Sequence, residues 1–145
     1  MKNNLDTTKL IYFLSIIMIC SGILEFSIGI INIYEIINNF EILNLIVNVI
    51  VVILIGLLEI IMGIFGIIAS TKKIKFIRYA RNISGVVFSL TFVFLMYSIR
   101  LNTFNISSVT NLIFQMIFFY TSFMMSGKAE KENVNKNEKN KKKIK

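Results

Sequence analysis

Glu25 and Glu59 are the residues of this sequence whose type and placing could do chemistry. Each stands inside a long apolar stretch. An acidic side chain near the centre of a membrane span costs about 2.5–3.5 kcal/mol on insertion scales, so it must face another helix or a wet cavity. Two roles are open to such a carboxyl. It can stay protonated and hydrogen-bond a neighbouring helix, or it can bind a proton or another cation as its function. No basic residue shares the stripe. Arg100 is the nearest candidate partner; it lies at a span edge with Glu35 and Glu41, from where it could also reach toward Glu25.

The surroundings of the two acids match. Gly22-Ile23-Leu24-Glu25 through Gly29-Ile30 aligns with Gly56-Leu57-Leu58-Glu59 through Gly63-Ile64. Residues at i, i+3 and i+7 share a helix face. Gly22, Glu25, Gly29 and Asn32 therefore form one stripe, with Met18 and Ser21 beside it. Asn48, Glu59, Gly63 and Gly66 form the corresponding stripe, together with Gly56. Small residues let helix backbones approach closely where lipid supplies no hydrophobic force between them. The two helices run antiparallel, so the stripes read as an internal repeat about an axis in the membrane plane. Counted from the span midpoints, the two carboxyls are expected to differ in depth by roughly 10 Å, and need not meet within one chain.

A second polar face carries Ser108, Asn111, Gln115 and Ser122 at helical spacing. It reads as packing glue, or as the lining of a path with Glu25 and Glu59. Gly85 and Ser89 make a small pair on the third span.

Several chemistries are excluded by composition. Histidine, proline and tryptophan are absent, and Cys20 is the one cysteine. The usual zinc sites, histidine acid–base pairs and disulfide frameworks are unavailable. No phosphate loop or nucleophile–base pair occurs. The expectation is a protein that is not an enzyme and takes no cofactor and no metal.

These residues must be positioned by membrane helices. The 145-residue chain is 55% hydrophobic and 17% charged, against about 45–50% and 25% in ordinary soluble domains. Four stretches reach the roughly 20 apolar residues that cross a bilayer: 10–33, 43–69, 80–99 and 106–125. The first is too long for a signal-peptide core of about 7–15 residues. The fold class expected is an all-α integral membrane protein, a four-transmembrane-helix bundle occupying residues 1–125. Residues 126–145, rich in Lys, Asn and Glu, cannot offset their ordering entropy by burial and read as a disordered tail.

Of the sixteen basic residues, fifteen fall on the side that holds both termini and the second connection. Only Arg100 falls on the other. The positive-inside rule then places both termini in the cytoplasm of a multi-pass protein of the cell membrane. Tyr12, Tyr34, Tyr79, Tyr97 and Tyr120 sit near span ends, where aromatic side chains favour the interface. Lys72, Lys73, Lys75, Arg78 and Arg81 alternate with apolar residues, a pattern suited to anionic headgroups on the cytoplasmic side. The partners expected are the bilayer, a second copy of the chain or a larger membrane protein. Nucleic acid is not expected, because no aromatics interleave the tail lysines.

With four spans and a glutamate in the first, the chain resembles the small multidrug-resistance transporters. That resemblance implies Glu25 as a substrate- and proton-binding acid; the third-helix tryptophan of those proteins has no counterpart here. Gly56 and Gly63, followed by the basic segment 72–81, are similar to the pattern in the mammalian membrane-spanning four-domain family. Neither likeness assigns a family. The expected function is that of a non-catalytic membrane protein acting through helix packing, as an accessory, scaffold or immunity-type subunit. The alternative is a small homo-oligomeric proton- or cation-coupled transporter or channel using Glu25 and Glu59.

Overall fold

A computed structural model describes the backbone of residues 2–39, 43–71, 75–100 and 106–143, and the side chains of 7–34, 49–71, 75–100 and 106–127. The described residues are helical almost throughout: α1 (Lys2–Asn39), α2 (Leu43–Thr71), α3 (Phe76–Arg100) and α4 (Ile106–Lys143). Each helix carries a stretch long and apolar enough to cross a membrane, at Thr7–Tyr34, Val49–Thr71, Phe76–Arg100 and Ile106–Gly127. Connections this short force consecutive helices to lie side by side and antiparallel. Each helix packs on the next, and α4 returns against α1. The α1–α2 pair is the most extensive contact in the bundle.

Polar and apolar residues are distributed opposite to a water-soluble bundle. Large apolar side chains point outward along every helix, among them Leu24 at 64% exposure and Val93 at 66%. Ser15, Glu59, Ser84, Asn111, Gln115, Ser122 and Ser126 are buried instead. Several buried hydroxyls turn back on their own helix, as Ser15 Oγ does to the Ile11 carbonyl at 2.6 Å, Ser84 Oγ to the Arg81 carbonyl at 2.7 Å and Thr121 Oγ1 to the Ile117 carbonyl at 2.7 Å. A bond of that kind satisfies the hydroxyl without a partner on another helix.

Val49, Ile55, Val87 and Leu95 are buried in one half of the bundle, while the main apolar cluster lies in the other, built from Ile11, Leu14, Met18, Met62, Ala69, Ile77, Ala80, Phe118 and Met125. The basic residues Lys9, Lys75, Arg78 and Arg81 belong to that same half. There Phe65 and Phe76 stack with ring centroids 5.8 Å apart. Arg81 Nη1 donates to Ser126 Oγ at 3.0 Å, and its guanidinium lies 6.0 Å from the centre of the Phe123 ring. The long aliphatic stem and planar head of arginine suit this place between two helices.

The helices outrun the expected spans at most ends. The largest difference is the segment 126–145, where an unordered tail was expected and the backbone of α4 continues to Lys143. Lysine, glutamate and alanine are good helix formers. Lys128 and Glu132, Glu132 and Lys136, and Glu138 and Lys142 are spaced four apart, the separation at which opposite charges support a helix. Absence of an apolar face removes the reason to pack, but leaves that local preference in place.

Candidate functional site

Five glycines set the α1–α2 interface. A Cβ on Gly22 would lie 2.5 Å from the Gly56 carbonyl oxygen, and one on Gly56 would lie 2.8 Å from that of Gly22. One on Gly63 would meet the Ser15 carbonyl oxygen at 2.6 Å. Real Cβ atoms do not approach backbone so closely, so these positions need glycine for the approach itself. Gly29 rests on Ile53, and Gly66 on Ser15 and Phe118.

The facing glycines determine where the acids go. Glu25 lies three residues past Gly22, and Glu59 three past Gly56. Cα–Cβ bonds tilt toward a helix N-terminus. In antiparallel helices the two side chains therefore lean back toward the glycine crossing from opposite sides. Their Cβ atoms confirm the register: Glu59 Cβ lies 3.0 Å from the Gly22 position and Glu25 Cβ 3.3 Å from the Gly56 position.

Helix α4 closes over the pair. Asn111 and Gln115, four residues apart, share one face and both are buried. Asn111 Nδ2 donates to Glu25 Oε1 at 2.5 Å and to Glu59 Oε1 at 2.9 Å. Gln115 Nε2 donates to Glu59 Oε1 at 2.6 Å. Ser21 Oγ donates to Asn111 Oδ1 at 3.1 Å and orients that amide. A single polar centre thus joins α1, α2 and α4.

This corrects the expected spacing of the acids. Both Oε1 atoms reach one nitrogen, so they lie no further apart than two hydrogen bonds laid end to end. Span midpoints gave the wrong register because the glycine crossing, not the span centre, sets the depth. The proposed reach of Arg100 is not seen either: Glu25 takes its bond from Asn111, and Arg100 is exposed at the end of α3. No lysine or arginine among the described residues pairs with either acid.

The remaining candidates fall outside the centre. Asn32 is half-buried, about 10 Å along α1 from Glu25. The side chain of Asn48, and residues Lys72 and Lys73, lie outside the described part. Lys75 and Arg78 are exposed and Arg81 is half-buried. Ser21 was legible only as a neighbour of the stripe; its position one residue before Gly22 was the available signal.

The donors of the centre are spent on one side of it. Glu25 Oε2, Glu59 Oε2 and Gln115 Oε1 are buried and have no hydrogen-bond partner. All three are acceptors. Such a set can take a hydrogen-bond donor, a proton or a cation. Among the described residues, no cluster of three or more Cys, Asp or Glu stands ready for a metal ion. Comparisons with protein-family models, with curated proteins and with solved structures give no match.

Proposed function

We propose that this chain is a four-span integral protein of the cell membrane, both termini cytoplasmic, which does no covalent chemistry and works by helix packing as an accessory, scaffold or immunity-type subunit. The observation that carries this reading is the α1–α2 glycine crossing with its amide-bridged acids, a device for holding helices together where solvent offers no drive. The outward apolar faces and inward polar residues support the membrane setting. The bias of basic residues supports the orientation, and Lys75, Arg78 and Arg81 suit anionic headgroups. The matching surroundings of Glu25 and Glu59 support an internal repeat.

One observation favours a second reading, a small homo-oligomeric proton- or cation-coupled transporter or channel. Three buried acceptors stand unpartnered at one place, a set that a proton or a cation would satisfy. Flux measurements on reconstituted vesicles separate the two. Proton or cation flux in wild type that is lost in Glu25→Gln and Glu59→Gln supports transport. No wild-type flux under any imposed gradient sinks it and leaves the packing role.

A further inference from the structure

We infer that Glu59 and Gln115 form a proton-binding site, in which the Glu59 carboxyl carries a proton on Oε2 and donates it to the Gln115 carbonyl. The inference deepens the transport reading and rests on it for the proton's use, but not for the proton's presence.

The argument starts from the bond already made. Gln115 Nε2 donates to Glu59 Oε1 at 2.6 Å. The other oxygen of each group, Glu59 Oε2 and Gln115 Oε1, has no partner. Both side chains are fully buried, at 0% exposure. A carboxylic acid and a primary amide pair at two points, with N–H to carbonyl on one edge and O–H to carbonyl on the other. Here the first edge is in place. A hydrogen on Glu59 Oε2 would supply the second, since two oxygens that both accept cannot bond each other. One proton on Glu59 Oε2 satisfies two of the three orphaned acceptors at once. Leaving a buried acceptor unsatisfied is costly, and the cost grows where water cannot substitute.

The two acids are not equivalent in this respect. Glu25 receives one amide bond, from Asn111. Glu59 receives two, and only Glu59 has an unpartnered amide oxygen beside it. Every other group at the centre is neutral: Ser21, Asn111 and Gln115 supply hydrogen bonds and no charge. Two carboxylates in contact with no cation would each oppose the other's charge, and a proton on one removes that opposition. The proton goes to the acid whose protonated form has a waiting acceptor. Gln115 is a positioning residue: it holds the acid by one edge and receives its proton by the other.

Infrared spectroscopy of the reconstituted full chain tests this at neutral pH. The expected result is one protonated-carboxyl C=O band per chain, shifted in heavy water. That band is lost in Glu59→Gln and retained in Glu25→Gln. Glu59→Gln keeps a two-point pairing with an N–H in place of the O–H, so folding is preserved. In Gln115→Leu the band moves to higher frequency, as a carboxyl without an acceptor does. A band that survives Glu59→Gln and disappears in Glu25→Gln overturns the assignment. So does a wild type with no protonated-carboxyl band, which needs no variant to fold. A band on Glu59 without proton flux leaves the inference standing and removes the transport reading. Flux without such a band does the reverse.

Discussion

Gly22 and Gly56 lie backbone to backbone, each standing where a methyl group would collide with the other's carbonyl oxygen. The relationship is reciprocal, and it is the pivot from which both acids are aimed. Most of what can be tested about this protein follows from it.

Replacing Gly22 or Gly56 by alanine should push α1 and α2 apart. Forcing extra atoms into a close-packed contact costs about 1–3 kcal/mol, and leucine should cost more. Gly127→Ala meets nothing within 4 Å and should stabilise by about 0.5–1 kcal/mol, the helix preference of alanine over glycine. Reversible unfolding in mixed detergent micelles measures all three. Equal effects at Gly56 and Gly127 would show that the crossing is not tight.

Asn111 serves two acids with one nitrogen. Asn111→Ala should therefore destabilise the bundle, and a double-mutant cycle with Glu25→Ala, which removes the acceptor, should give a coupling of about 0.6 to 1.7 kcal/mol, the range of hydrogen bonds between membrane helices. A coupling near zero would mean the bond contributes nothing to the bundle. Ser21→Ala, which removes only the bond that orients the amide, should cost less than Asn111→Ala.

Orientation has its own test. In a Cys20→Ser background, a cysteine placed at Gly127 should react with a membrane-impermeant maleimide only after intact cells are permeabilised. The wild-type Cys20 is exposed on α1 but falls within its apolar stretch, so in intact membranes it should resist the same reagent. Labelling at position 127 from outside would reverse the topology.

Charge in the basic half should govern attachment to lipid. Neutralising Lys75, Arg78 and Arg81 together should weaken the preference of the reconstituted protein for anionic over neutral lipid, by about 1 kcal/mol per charge removed at most. Spin-label lipid selectivity reads this directly.

The four helices were legible because length and hydropathy are local properties, summed along the chain. The glycine and glutamate stripes were legible because i, i+3 and i+7 periodicity is local too. The meeting of Glu25 with Glu59 was not, since it depends on how far one helix slides along the other. Hydropathy changes too gradually to set that slide; two glycines set it. Asn111 and Gln115 could be read as one polar face of α4, either packing glue or a lining beside the acids, and periodicity within one helix does not decide between the two.

The glycine crossing treats α1 and α2 alike, while α4 does not. Its two amides give Glu59 two bonds and leave Glu25 with one. An arrangement that would otherwise look the same from either face of the membrane is thereby given a direction. The helix that breaks the likeness of the first two is α4, and the inequality it creates falls between the two acids.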